Sequence, residues 1–302
     1  SAEAMSPLGR RRAVGLATAW GAGLVSVRRA ADAAEGTLEF EEREISDAYK
    51  KARAAETATP PDFDKAFRLY GRLTAAAPDN VLAWAGRGNA AVGVQNLEDA
   101  TMSYSKALEL AGDSYPSTTW IVRLNRGVLY LNLGEAEKAL EDLEKAGQEA
   151  PSSGDERLLL LQNRALTYER LGIYDKAVED YRSALAPKPG SIEPWWERYA
   201  LCLLQTGDGF NAVAIMRRVA AKYELAPEPQ AALAAVEASA GSMANALKAW
   251  KSLPEQTVGL YTDVKYVDEK LHWPPKVLDS LKNVAEQARI EKRAAATLTG
   301  GS

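Results

Sequence analysis

Cysteine and histidine are almost missing from this sequence: Cys202 and His272 are the sole examples in 302 residues. One cysteine excludes an intrachain disulfide and every CxxC redox or zinc motif, and one histidine excludes a multi-histidine metal site. Carboxylates alone could still hold a metal, but no D-x-D-x-D-G loop is present. His272 has no nucleophile or second titrating group near it in sequence and reads as a packed or solvated loop residue; Cys202 reads as a small buried apolar side chain. With no triad and no phosphate-binding glycine loop, the chain is not expected to be an enzyme, and no cofactor is implied. Glycine and proline are scattered rather than massed, which excludes collagen-like and low-complexity chains. What is present, 46% hydrophobic and 26% charged residues, is the balance of a folded soluble protein.

The first 33 residues differ from the rest. Arg10, Arg11 and Arg12 precede the uncharged stretch "AVGLATAWGAGLVSV" (13–27), and Arg28, Arg29 and the small residues Ala31–Ala33 follow. That order is a basic region, a short apolar region and a cleavage site. Fifteen helical residues span about 22 Å against about 30 Å of bilayer hydrocarbon, too short for a permanent anchor, so no stable membrane span is expected after processing. Paired arginines and weak hydrophobicity resemble a twin-arginine export signal, used by bacteria and for passage into the thylakoid lumen. The start at Ser1 is expected to reflect a two-stage chloroplast presequence, with Met5 as the alternative start of a bacterial chain. Cleavage after Ala33 removes five of 37 basic and two of 41 acidic residues, leaving 32 against 39 and a formal charge of −7. A uniformly basic nucleic-acid groove is not expected.

Beyond residue 44 the sequence repeats. In "YDKAVEDYRSA" Tyr174, Ala177, Tyr181 and Ala184 share one helix face, because spacings of 3, 4 and 3 follow the 3.6-residue turn. The same offsets hold Phe63, Ala66, Tyr70 and Leu73, then Leu97, Ala100, Tyr104 and Ala107, then Ala136, Ala139, Leu143 and Ala146. Weaker copies carry Ala212, Met216 and Val219, then Met243, Ala246, Trp250 and Leu253. The key alanines at 66, 100, 139, 177, 212 and 246 are separated by 34, 39, 38, 35 and 34 residues. Gly134, Gly172, Gly207 and Gly241 stand at or before the turn into these helices, and Pro78, Pro151 and Pro189 end several of them. Another helical segment precedes each copy, with Trp84 and Gly88, Gly127 and Tyr130, Ala165 and Tyr168, or Trp196 and Ala200.

This pattern resembles the tetratricopeptide repeat family, a helix–turn–helix of about 34 residues with large and small side chains at fixed places. The resemblance covers residues 45–255 and implies an all-α solenoid of about six helix pairs in a right-handed superhelix. Departures are the insertion "TATPP" in the first unit and four or five extra residues between units two, three and four. Residues 34–44 are expected to link the targeting segment to the solenoid. A short helix (262–271), the break "HWPP" and a helix over 275–292 with Val277, Leu278, Leu281 and Val284 on one side form a C-terminal cap (256–292), before a flexible tail at 293–302.

In the family, the first helix of each pair lines a concave groove. Its groove positions, transferred to this chain, are Ala85, Asn89 and Val92; Leu124, Asn125, Val128 and Asn132; Gln162, Asn163, Leu166 and Arg170; and Glu197, Arg198 and Leu201. Asn89, Asn125 and Asn163 form a column of amides able to donate to and accept from an extended peptide. The carboxylate clamp of chaperone-binding relatives is incomplete, because Ala85, Leu159 and Asn163 stand where cations are needed. Arg126 and Arg164 each precede an acid by sixteen residues, Asp142 and Asp180, which favours an ion pair within each hairpin. Arg87 has Ser103 at that offset and is expected to be freer to meet a ligand. Trp195 and Trp196 read as core, with one ring pointing elsewhere.

The resemblance implies a non-enzymatic scaffold that binds peptide segments of partner proteins, with no small-molecule ligand. The turn "LHWPP" is similar to plant and algal lumenal repeat proteins, which implies an auxiliary or assembly factor for photosynthetic complexes in the thylakoid lumen, with lumenal parts of photosystem subunits as the expected peptide segments. The alternatives are a bacterial periplasmic scaffold and an RNA-binding helical repeat.

Overall fold

A computed structural model describes residues 40–112, 116–187 and 190–299; the targeting segment at 1–33 and Pro189 lie outside the described residues. The described residues form helices and no strand. Six pairs follow one another: α1 (Phe40–Glu56) with α2 (Phe63–Ala76), α3 (Val81–Gly93) with α4 (Leu97–Ala111), and α5 (Pro116–Asn132) with α6 (Ala136–Glu149). Then come α7 (Asp155–Arg170) with α8 (Tyr174–Leu185), α9 (Trp196–Gln205) with α10 (Gly209–Lys222), and α11 (Pro227–Ser239) with α12 (Met243–Lys251). The chain ends in α13 (Glu255–Thr262), α14 (Val264–Tyr266), a π-helical turn Val267–Leu271, and α15 (Pro275–Thr299). This is the all-α class of repeated hairpins with a C-terminal cap that the spacing predicts.

Local chemistry sets the boundaries. Asp62, Asn80, Asn96, Asp208 and Asp263 cap their helices by accepting from the backbone N–H three residues on. The turn inside each later hairpin needs one residue with positive φ. Gly134, Gly172, Gly207 and Gly241 supply it at 81°, 73°, 98° and 83°, whereas the second hairpin uses Gln95 at 61°. Two boundaries differ from expectation. The linker expected over 34–44 is helical from Phe40, since "FEEREI" holds helix formers with acids in the first turn, which favour a helix N-terminus. The tail expected at 293–302 is helical to Thr299, because no breaker intervenes before Gly300 and Ala294–Ala296 are the best helix formers.

Two compact units divide within α7, after Asn163. In the first, Ala52, Ala66, Tyr70, Leu73, Ala83 and Ala90 join α1, α2 and α3 in one core. A second cluster links α3, α4 and α5 through Ala85, Ala100, Tyr104, Ala107 and Val122, and a third holds Trp120, Leu124, Ala139, Leu143 and Leu160. In the second unit α8 through α12 pack in sequence, and α15 lies on α9, α11 and α12. All six key alanines, Ala66, Ala100, Ala139, Ala177, Ala212 and Ala246, are 0% exposed. The notches are filled by bulk: a Cβ on Gly88 would lie 2.5 Å from the Tyr104 ring, and one on Gly127 would lie 2.8 Å from Leu143. Neither helix of a hairpin can hide its apolar face alone, so burial is shared between neighbours.

Candidate functional site

The arginines at the seventh place of the first helices are structural. Arg126 forms a two-pronged pair with Asp142 at 2.7 and 2.8 Å, and Arg164 does the same with Asp180 at 2.7 and 2.8 Å. Arg126 also donates to the Ser105 hydroxyl at 2.9 Å, which ties α5 to the preceding α4. Arg87 corrects the expectation that it is free. It grips Asp99 at 2.9 and 2.5 Å, reaches Thr74 at 3.3 Å, and lies over the Phe67 and Trp84 rings. Asp99 sits one helical turn before Ser103, so the same face of α4 still offers the carboxylate, and Ser103 donates to it.

Asn89 is buried and its amide is taken up by neighbouring side chains. Its Nδ2 donates to Glu56 Oε1 at 3.0 Å, and its Oδ1 accepts from the Tyr104 hydroxyl at 2.8 Å and from Asn125 Nδ2 at 3.1 Å. The Tyr70 hydroxyl completes this buried network by donating to the other oxygen of Glu56 at 2.8 Å. Burial raises the Glu56 carboxyl above its usual range, against the hydrogen bonds from Tyr70 and Asn89 that lower it. Glu56, Tyr70 and Tyr104 were not among the expected site residues. The available signal was the tyrosines themselves, since a buried phenol needs a partner for its O–H.

The remaining groove positions divide. Leu124 is buried in the α5–α6–α7 core, and Asn163 is buried with Nδ2 donating to Leu159 O in its own helix at 2.8 Å. Asn125, Val128 and Gln162 in the first unit are half-buried and keep surface on the helices expected to line a groove; Leu166 does so in the second unit. Leu201 is buried. Glu197 is buried too, with Oε1 unmet by any hydrogen-bond donor. Desolvation drives its carboxyl well above the ordinary range, Glu228 and Glu169 add to this, and Arg198 opposes it.

Arg198 is likewise not a free groove cation. It pairs with Glu169 through two N–H groups and donates Nη1 to Leu271 O at 2.6 Å and Nη2 to His272 O at 3.0 Å. The C-terminal segment returns over α9 and meets Arg198, one of the positions that the family resemblance assigns to a groove. His272 is an exposed turn residue with φ 53°. Cys202 is buried, with its thiol pushed up by desolvation. Trp196 is core, while Trp195 is half-buried and stacks on Tyr181 at 5.7 Å. Among the described residues no group of three or more His, Cys, Asp or Glu could hold a metal ion, and no helix is long and apolar enough to cross a membrane.

Hairpins with a fully buried alanine in every second helix, built at intervals of 34 to 39 residues, define a helical-repeat solenoid. Residues 122–152 and 159–189 match the tetratricopeptide repeat family model. Solved structures share the fold at low identity. YrrB, described as a TPR protein with an unusual peptide-binding site, is 18% identical, with 64% of this chain aligned to 96% of that one at a TM-score of 0.54. A tetratricopeptide repeat protein from Parabacteroides merdae is 20% identical over 82% of this chain and 98% of its own, at 0.53. MamA from Desulfovibrio magneticus RS-1 is 15% identical over 61% and 95%, at 0.50. No curated protein sequence matches the chain.

Proposed function

We propose that this protein is a non-enzymatic scaffold that binds peptide segments of other proteins, using in the first unit the face of α5 and α7 that carries Asn125, Val128 and Gln162. One observation carries the reading: at these positions the helices keep half-exposed apolar and amide side chains, while the equivalent Asn89 is closed off. An apolar contact beside an amide able to donate and accept suits the alternating demands of an extended backbone. That YrrB is described as having a peptide-binding site supports the same use of the fold.

The finer reading is an auxiliary or assembly factor for photosynthetic complexes in the thylakoid lumen, holding lumenal parts of photosystem subunits. It rests on Arg10–Arg12, the apolar stretch 13–27, Ala31–Ala33 and the turn "LHWPP". A bacterial periplasmic scaffold would carry the same export pattern. Crosslinking in native membranes, affinity capture and mass spectrometry test both levels. Capture of lumen-facing subunits supports the reading, and loss of capture in Val128→Glu at an unchanged melting temperature places binding on α5. Recovery of only stromal or cytosolic proteins overturns the placement.

A further inference from the structure

Helix α9 turns its inner positions toward a later part of its own chain. Arg198 holds the carbonyls of Leu271 and His272, and seven residues further along the helix Gln205 Oε1 accepts from the backbone N–H of Lys276 at 2.9 Å. Between these two holds Leu271 and Trp273 are buried, and the Trp273 ring stacks on Tyr261 at 6.4 Å. The segment held is a helix end. Val264–Tyr266 passes into the π-helical turn Val267–Leu271, and His272 in the left-handed region terminates it. The last carbonyls of a helix have no partner within it, and they are what the guanidinium takes. On the outer side Asp268, Glu269 and Lys270 are exposed.

Two features set this contact apart from a plain apolar cap. It is centred on a sheltered charge pair, Arg198 with Glu169, whose desolvation an apolar seal would not require. It also leaves a buried polar atom unmet on each side: Glu197 Oε1, next to Arg198 on α9, and Trp273 Nε1 on the returning segment have no hydrogen-bond partners. A buried carboxyl oxygen without a donor is costly, and a ligand that brings a donor relieves that cost.

We propose that the α9 face carrying Arg198 and Gln205, with Glu169 of α7 behind Arg198, is a receptor for a short helical turn and that Val264–Trp273 is its resident occupant. A partner segment displaces it when it ends a helix with uncapped carbonyls, carries a leucine-and-aromatic pair like Leu271 and Trp273, and adds a Lys, Arg or amide donor for Glu197. The proposal rests on the scaffold reading and deepens it, because release of the turn adds a second, gated surface to the protein.

The probe is a fluorescein-labelled peptide of residues 262–275, titrated by anisotropy into the full chain. The Trp273→Ala chain, whose resident turn is weakened, is expected to bind it at least tenfold more tightly than the unaltered chain, and Trp273→Ala with Arg198→Met is expected to lose that gain. Absence of binding to a cooperatively melting Trp273→Ala chain overturns the proposal. Hydrogen exchange on the unaltered chain decides the matter independently of any variant. Amides of 264–273 are expected to exchange at least tenfold faster than those of α9 and α15, through local opening; equal protection means the turn leaves only on global unfolding and overturns the proposal. Peptide binding together with an empty membrane capture sinks the scaffold reading alone, and the reverse result sinks the receptor alone.

Discussion

Gly88 occupies a place where a side chain would collide with a ring. Replacing a helical glycine by alanine ordinarily gains about 1 kcal/mol of helix propensity. Here the added methyl meets Tyr104 at 2.5 Å, and that ring is pinned by its hydroxyl bond to Asn89. Overpacking of about 1–3 kcal/mol outweighs the gain, so Gly88→Ala is expected to lower the melting temperature. Ala177→Trp, at a fully buried notch, is expected to cost at least as much. Glu197 gives a pH signature. Its folded pKa lies above the unfolded value, so the folded state binds more protons and wild-type stability falls as pH rises from the ordinary glutamate range. Glu197→Gln removes this term, and the melting temperature of the variant minus that of wild type is expected to be larger at pH 8 than at pH 5. The small-and-large pairing behind the first prediction was legible in the spacing of residues. The closure of Asn89 was not, because its partner Glu56 lies 33 residues earlier on a helix whose inner face no pattern in the first repeat announces.

At the scale of elements, the five turns inside hairpins two to six share one backbone step, and only the second lacks glycine there. A left-handed residue other than glycine costs about 1–2 kcal/mol, and the greater unfolded freedom of glycine returns about 0.5–1 kcal/mol of that. Gln95→Gly is therefore expected to stabilise by about 0.5–1 kcal/mol, read as a rise in melting temperature, with Gly172→Ala moving it the other way. Helix positions were legible because apolar periodicity and caps are local. The outer ends of α1 and α15 were missed, since charge-rich and alanine-rich flanks carry helix propensity without an apolar stripe. Arg87 was misread for a related reason: its acid sits at Asp99, one turn from the offset used by Asp142 and Asp180, and a helix face accepts either.

For the molecule as a whole, six hairpins were readable from sequence, while the return of the C-terminal segment over α9 was not. Arg198 and Leu271 are 73 residues apart, and nothing periodic links them. The cap nevertheless has a measurable share in stability. Leu281 on α15 is 0% exposed, and Leu281→Ala is expected to cost about 2–4 kcal/mol and to speed hydrogen exchange in α11 and α15 before the first unit responds.

Helix α11 buries its alanine stripe completely: Ala231, Ala232, Ala234, Ala235 and Val236 are all at 0% exposure, with α15 laid across the helix. An uncovered last hairpin would offer its alanine stripe to the leading hairpin of another copy and invite open-ended fibres. With that stripe sealed from within, copies of this protein cannot queue through α11, and a chain shortened before Pro275 should be the one that polymerises.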